Sequence, residues 1–204
     1  MRKTNKDYIS NYQKEIILGT TLGDGCLEFN GFHGTRLQIK QQNKYKDYVF
    51  WLFSQLKNLC ISGPKQRKDT KQWYFSTRSL EELTKLYHIF YPQGKKGVPK
   101  NIINLLVSPL SLAIWYMDDG CLDFRPKEHY SFTLNTDSFT LKDTFLLKKT
   151  LKRNFQVESS VYNSLCRGKR YPKLYIGSKG RNKFLTLTKP YILKNCFSHK
   201  IPPL

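Results

Sequence analysis

Two aspartates, Asp24 and Asp119, lie 95 residues apart, and each ends an apolar segment. The segments read ILGTTLGDG and LAIWYMDDG, and nearly the same residues come after them, Cys-Leu-Glu-Phe and Cys-Leu-Asp-Phe. If both segments are helices, each carboxylate stands at a helix C-terminus, where the helix dipole favours cations. A bound divalent metal ion removes that conflict, so the duplicated acids predict a metal site. The alternative is a pair of solvated acids before helix-terminating glycines, Gly25 and Gly120.

The two apolar segments have small residues at helical spacing. Gly19 and Gly23 are four residues apart in the first segment, and Ala113 and Met117 have the same spacing in the second. Residues four apart share one face of a helix, so a neighbouring helix can approach the glycines closely. We therefore expect the two segments to pack side by side and to bring both carboxylates together.

The same 95-residue shift aligns the segments downstream of the two motifs. Leu37 and Ile39 alternate with polar residues in RLQIKQ, as Phe132 and Leu134 do in SFTLNT, and this period of two predicts half-buried strands. A helical pattern comes next in both halves. Basic hairpin candidates come after it, GPKQRKDTKQWYFSTRS and SLCRGKRYPKLYIGSKG, and then SLEELTKLYHIF and RNKFLTLTKPYIL as final helices.

Each half is thus predicted to be an αββαββα repeat, and the chain an α+β protein of two pseudo-symmetric repeats. We expect a first repeat with its linker over residues 1–100 and a second over residues 101–204. The stretch YPQGKKGVPKN, rich in Pro, Gly and Lys, is the predicted linker.

The composition indicates a polyanionic partner. The chain of 204 residues has 35 Lys and Arg against 15 Asp and Glu, a formal net charge of +20. The two halves carry equal excess charge, which favours one groove shared by two similar sheets, because duplex DNA is itself nearly two-fold symmetric. The alternatives are a basic protein that has no polyanionic partner and a protein that binds an anionic membrane surface.

Other classes of protein are not favoured. The chain has no run of eighteen apolar residues and its first residues lack the apolar core of a signal peptide, so we expect an intracellular protein that does not enter membranes. Its five Cys and four His are scattered, without a C-x-x-C pair. This spacing predicts neither a disulfide framework nor a zinc site.

At these two motifs the chain resembles the LAGLIDADG homing endonucleases, in the monomeric form that carries both motifs in one chain. The segments ILGTTLGDG and LAIWYMDDG carry the resemblance, and the order of repeat elements extends it over almost the whole chain. Thr20 and Thr21 depart from the usual apolar motif positions, and Trp115 and Tyr116 are bulky. We expect these four residues to face the core of each half.

The resemblance implies two saddle-shaped antiparallel sheets around a DNA groove, with the motif helices packed at the centre. It also implies site-specific cleavage of both DNA strands by metal-dependent hydrolysis. The expected metal is Mg²⁺, with Mn²⁺ as a substitute and Ca²⁺ supporting binding only. Asp24 and Asp119 would hold the metals, assisted by the backbone carbonyls of Gly23 and Asp118. The predicted polar and basic groups around the metals are Gln38, Lys96 in KKGVP and Lys200 in HKIP.

The resemblance further implies that DNA contacts come from the groove face of the strands and from the hairpins. Arg, Gln and Asn can read base edges, whereas Lys more often contacts phosphate. Because the two halves differ, for example Lys40 against Asn135, we expect an imperfectly palindromic target. The candidate contact residues are Arg36, Lys40, Gln42, Arg67, Lys68, Lys71 and Arg78 in the first half, and Asn135, Arg167, Lys169, Arg170 and Lys173 in the second.

Three functions fit this pattern. The first is an intron-encoded homing endonuclease acting on double-stranded DNA as a monomer, in the bacterial cytoplasm or an organelle. The second is a maturase that binds intron RNA with the same groove; the two acids favour the nuclease, because carboxylates repel a phosphate backbone. The third, a transcription regulator, would need an additional helix-turn-helix segment, for which residues 1–16 and 195–204 are too short.

Overall fold

Two four-stranded antiparallel sheets form the framework of the protein. The structure is a computed structural model, and it describes residues 8–126, 129–166 and 168–203. The strands are connected in the same spatial order in both sheets, β1-β2-β4-β3 and β5-β6-β8-β7. Their bounds are β1 Cys26–Phe29, β2 Thr35–Gln41, β3 Lys65–Gln66, β4 Trp73–Ser76, β5 Gly120–Arg125, β6 His129–Asn135, β7 Ser160–Cys166 and β8 Lys169–Ile176.

Eight helices complete the described chain, apart from short 3₁₀ turns. They are α1 Asn11–Leu22, α2 Lys46–Leu56, α3 Glu81–Phe90, α4 Ile102–Leu105, α5 Pro109–Asp119, α6 Leu141–Phe155, α7 Arg181–Thr188 and α8 Lys194–Phe197. The predicted αββαββα order is therefore confirmed in both halves, with α4 and α8 as short additions. The division of the chain after residue 100 stays a prediction.

The alternating pattern in β2 and β6 sets the two faces of each sheet. Leu37, Ile39, Phe132 and Leu134 are all buried, as the pattern predicts. Successive side chains of a strand point to opposite faces, so the residues between them lie on the face that helices do not cover. In each half, then, one sheet face packs against helices and the other remains open.

Local sequence fixes where the two motif helices begin. Ser10 and Gln13 form a capping box at the start of α1, and the Ser108 hydroxyl accepts the Leu110 amide at the start of α5, next to Pro109. Such caps satisfy amides that have no partner within the helix. The Ser108 hydroxyl also donates to the Glu15 carboxylate at 2.7 Å, which ties the start of α5 to α1.

Helices α1 and α5 pack through the two glycines of the first motif. A Cβ atom on Gly19 would lie 2.8 Å from the Cβ atom of Ile114, and one on Gly23 would lie 2.4 Å from that of Asp118. The close approach predicted at these glycines is confirmed. The facing residues are Ile114 and Asp118, however, and not Ala113 and Met117. Each glycine thus contacts the residue that occupies its own position in the second repeat. A pseudo-two-fold axis between the helices requires this pairing.

The unusual motif residues face the core, as expected. Thr20, Thr21, Trp115 and Tyr116 are all buried. The two threonine hydroxyls donate to backbone carbonyls one turn earlier in α1, with bonds to Ile17 of 3.0 and 2.6 Å, so burying them leaves no unpaired hydroxyl. Among the described residues, none of the helices has the length and apolarity that a membrane span requires.

Candidate active site

Three carboxyl groups gather where α1 and α5 end. Asp24 directly follows Gly23, the residue that caps α1, and Asp118 and Asp119 are the last two residues of α5. Asp24 is exposed, whereas Asp118 and Asp119 are partly buried. Asp24 and Asp119 are close enough for the charge of Asp24 to raise the pKa of Asp119. The packing of two equivalent helix ends has thus brought the two predicted acids to one place.

The Asp118 carboxyl group lies inside this cluster and joins the two halves. It accepts the Tyr48 hydroxyl at 2.9 Å and the backbone amide of Asp24 at 3.2 Å. Tyr48 itself is completely buried. The motif predicts a role only for the backbone carbonyl of Asp118, so sequence reasoning missed this side chain and its Tyr48 partner.

Burial and mutual repulsion make the cluster costly to ionise without a cation. Burial raises the pKa of Asp118 well above its usual value, and the nearby charges of Asp24 and Asp119 raise it further. The pKa of Asp119 is raised to about 7, first by burial and then by Asp24, while Lys96 and Lys200 act in the opposite direction.

Lys96 and Lys200 flank the acids from opposite halves. The Lys96 ammonium donates to the carbonyl oxygens of Gly23, at 2.7 Å, and Gly25, at 3.3 Å. Lys200 is buried and donates to the carbonyls of Met117 and Tyr116 near the end of α5. Burial lowers the pKa of both lysines, and the three aspartates oppose that effect. Both residues therefore sit where the helix carbonyls and the acids concentrate negative charge.

Gln41, and not Gln38, contacts the acids from the first sheet. The Gln41 side-chain amide donates to Asp24 at 2.8 Å and approaches Asp118 at 3.4 Å. Gln38 lies on the open face of the sheet, three positions earlier in β2, opposite Cys26 and Ser76. A catalytic role for Gln38 stays a prediction, without a contact to the acids in the described chain.

In the second half, Asn135 and Lys173 form the hydrogen bonds that hold the backbone of Asp119. The Asn135 amide donates to the Asp119 carbonyl at 2.7 Å, and its oxygen accepts the Lys173 ammonium at 2.9 Å. Lys173 also pairs with Asp137 at 2.6 Å. Asn135 and Lys173, both predicted to contact DNA, are therefore occupied largely by contacts within the protein.

The donor set fits a hard divalent cation that is completed by substrate. Among the described residues, no group of three or more His, Cys, Asp or Glu side chains forms a metal site on its own. Mg²⁺ is typically held by one or two carboxylates, with water and substrate phosphate as the remaining ligands. Asp24 and Asp119 offer such carboxylates. The Gly23 carbonyl, the predicted additional ligand, already accepts a hydrogen bond from Lys96.

The predicted DNA contacts of the first half divide into two groups. Arg36 and Lys40 lie on the open sheet face, where Arg36 pairs with Glu28, and Gln42 is exposed just beyond β2. Lys68 and Lys71 are exposed in the β3–β4 hairpin, beside Arg67, which pairs with Asp69. Arg78 differs from these, because it is half-buried and donates to the Asn58 carbonyl at 2.9 Å. Its guanidinium is thus engaged by the helical layer.

The predicted DNA-contact residues of the second half do not all lie on one face of β8. Lys169 is exposed and shares a face of β8 with Lys173, whereas Arg170 points to the opposite face, because side chains alternate along a strand. Arg167 lies outside the described residues. Direct DNA contact stays a prediction for all of these side chains.

The sequence matches the LAGLIDADG DNA endonuclease family over residues 14–184. This chain belongs to that family. The relatives include DNA endonuclease I-ChuI of Chlamydomonas applanata, 25% identical and covering 95% of both chains. Another is the cytochrome b mRNA maturase bI2 of Debaryomyces hansenii, 30% identical over 88% of this chain and 70% of the relative.

Solved structures give the same fold for this LAGLIDADG chain. The homing endonuclease I-WcaI bound to its DNA recognition sequence superimposes with a TM-score of 0.81, at 23% identity, over 96% of this chain and 88% of that one. I-DmoI in complex with DNA and manganese gives a TM-score of 0.57 at 17% identity, over 88% and 97% of the two chains. The predicted fold class, two antiparallel sheets on paired motif helices, is confirmed.

Proposed function

We propose that the protein is a homing endonuclease that cuts both strands of a long, imperfectly palindromic DNA site by metal-dependent hydrolysis. The observation that carries this proposal is the meeting of Asp24 and Asp119 at the ends of α1 and α5, the two equivalent motif helices. One chain supplies both motifs, so the proposed active form is a monomer. Such a substrate requires a compartment that contains DNA, either a bacterial cytoplasm or an organelle.

In the proposed mechanism Asp24 and Asp119 are the residues that would hold divalent metal beside the DNA phosphates. When bound, the metal would lower the pKa of a coordinated water and stabilise the leaving oxygen. Gln41 orients the Asp24 carboxylate, while Asn135 fixes the backbone of Asp119. The Asp118 carboxyl, which bonds to the Asp24 amide, sets the position of the first acid relative to the second helix.

Lys96 and Lys200 supply the positive charge of the proposed site. Each ammonium is held by backbone carbonyls close to the acids, so it is already in place when negative charge develops on the phosphate. A preorganised charge of this kind stabilises a transition state without rearrangement during the reaction. Mg²⁺ is the metal we propose, because the carboxylates offer few ligands and leave room for water and phosphate.

The acid cluster favours cleavage over RNA binding alone. A maturase needs a basic surface, whereas the ionised acids of this cluster would repel any phosphate placed beside them. In a protein without catalytic activity, the raised pKa of Asp119 would be a cost without a benefit. The maturase named among the relatives keeps RNA as a second candidate partner.

Asp24→Asn and Asp119→Asn should abolish DNA cleavage but retain DNA binding. Once a target has been selected by sequencing the ends cut from a randomised DNA library with Mg²⁺, plasmid cleavage and gel-shift affinity would be measured in parallel. We expect each variant to lose double-strand cleavage by about a thousandfold or more, with binding unchanged or tighter because a repulsive charge is gone. Ca²⁺ in place of Mg²⁺ should allow binding without turnover.

Glu81→Gln is the matched control, because Glu81 is an exposed acid of α3, in the helical layer, that pairs with Lys85. It should cut at the wild-type rate. Wild-type cleavage by both cluster variants would mean that the two acids are structural, and the proposal would fail.

A further inference from the structure

Helix α6 carries an excess of positive charge that its counterpart in the first half lacks. It contains Lys142, Lys148, Lys149, Lys152 and Arg153 against a single acid, whereas α2 contains one lysine and one aspartate. The duplication that equalises the net charge of the halves therefore does not extend to these two helices. A feature confined to one half is not required by the pseudo-symmetric grip on a DNA duplex.

The charged face of α6 points away from the proposed DNA groove. Leu147, Leu151 and Phe155 of this helix are buried in the core and form the face that packs toward the second sheet. The lysines lie on the remaining face, so the helix and the sheet separate them from the open sheet face. We therefore expect that DNA bound in the groove does not contact them.

The lysines surround a surface depression that includes an aromatic side chain. Its volume is about 440 Å³, and its lining is Phe145, Lys148, Lys149, Lys152, Glu158 and Ser159. Phe145 is 48% exposed. Lys152 pairs with Glu158, and Lys148 is near enough to help lower the pKa of that carboxyl, but no carboxylate of the described chain forms a direct ion pair with Lys148 or Lys149. Two ammonium groups and an exposed aromatic ring are thus available to a ligand.

We propose that this depression, which we call the α6 site, binds a segment of RNA whose bases are unpaired. An aromatic ring next to cations suits a nucleotide, because the ring can stack on a base while the lysines contact its phosphates. Duplex DNA presents its bases already stacked, so it could use only the lysines. A membrane is a poorer partner, because the apolar face of α6 is in the core and only Leu141 and Phe145 are exposed apolar residues of this helix.

This inference does not rest on the endonuclease proposal, since the α6 site shares no residue with the acid cluster. It assigns RNA, the second candidate partner, a binding site separate from the DNA groove. The notion of one groove that serves both nucleic acids is replaced by two surfaces on opposite sides of the second sheet. DNA and RNA could then be bound at the same time.

The test uses the whole chain of 204 residues and a labelled single-stranded RNA of about 20 nucleotides with mixed sequence. We expect Lys148→Gln/Lys149→Gln to weaken RNA binding by about tenfold at low salt, and to lower the salt slope by about 1.4, for two phosphate contacts. Phe145→Ala should weaken it by about fivefold or more through lost stacking. Affinity for a duplex DNA of similar length should change by less than about twofold in either variant.

Lys183→Gln/Lys189→Gln is the matched control, because it removes two exposed lysines from the same half. Ile61→Ala, at an exposed residue of the first half, controls for loss of an apolar side chain. Both should bind RNA as the wild type does. Equal losses in the two lysine variants would show that only net charge matters and would overturn the proposal. Displacement of the RNA by saturating duplex DNA, or binding of vesicles with anionic lipid that depends on Phe145, would overturn it as well.

Discussion

Gly23 and Asp118 occupy equivalent positions in the two halves, and a Cβ atom on Gly23 would lie only 2.4 Å from the Cβ atom of Asp118. The crossing of α1 and α5 therefore has room for a side chain at one of these positions but not at both. The second half uses that room for a carboxyl group, which accepts the Tyr48 hydroxyl and the Asp24 amide. The centre of a nearly symmetric protein is in this way asymmetric.

Gly23→Ala should destabilise the protein by about 1–3 kcal/mol, because the added methyl group would overlap Asp118 and push the helices apart. Urea unfolding monitored by circular dichroism would measure the change. Gly63→Ala is the control, since a Cβ atom there meets only the Phe53 ring, at 3.8 Å. Equal stability of the two variants would show that the helices can separate without cost.

The metal-free protein should lose stability as the pH rises from about 4 to about 7. The pKa of Asp119 is raised to about 7, mainly by burial, so the folded state holds a proton that the unfolded state releases near its ordinary pKa of about 4. Folding is then favoured below that range and penalised above it. Asp119→Asn should stabilise the protein at about pH 8 by about 1–2 kcal/mol, a figure reduced for the partial exposure of the group, and by almost nothing near pH 4.

Thermal unfolding in EDTA, from about pH 4 to about pH 8, would measure this effect. A constant difference between wild type and variant across the whole pH range would contradict the prediction.

Gln41→Ala and Gln38→Ala should affect different steps. Gln41 donates to Asp24, so its loss should slow cleavage by about 10- to 100-fold while leaving DNA affinity nearly unchanged. Gln38 lies on the open sheet face, so its loss should change affinity more than the rate of the bound complex. Single-turnover cleavage at saturating protein would separate the two effects. The reverse result would restore Gln38 as the catalytic glutamine and make Gln41 a packing residue.

Lys96→Met and Lys200→Met should slow cleavage by about 10- to 100-fold, less than removal of either aspartate, because the lysines contribute charge without holding the metal. Lys200→Met keeps the buried site filled but removes the donor to the Met117 and Tyr116 carbonyls, so its folding would be checked by circular dichroism. Lys95→Met is the control, because Lys95 is the exposed neighbour of Lys96. A cleavage rate for Lys95→Met as low as that of Lys96→Met would assign the effect to the loop and not to the site.

The sequence by itself determined the features that are duplicated. Asp24 and Asp119, the buried pairs in β2 and β6 and the order of elements all follow from one 95-residue shift, because equivalent residues in a repeat have equivalent neighbours. The pattern of burial also follows from local periodicity, which depends only on residues a few positions apart.

The tertiary structure decided the features that differ between the halves. Gln41 rather than Gln38 reaches Asp24, Asp118 lies between the acids, and Arg78 turns to the helical layer. Each of these features depends on how closely segments that are distant in the chain approach one another. The periodic pattern of the sequence gives no information on such distances. The register between α1 and α5 is the clearest case: spacing alone allowed Ala113 and Met117 to face the glycines, and only the packed helices show that Ile114 and Asp118 do so.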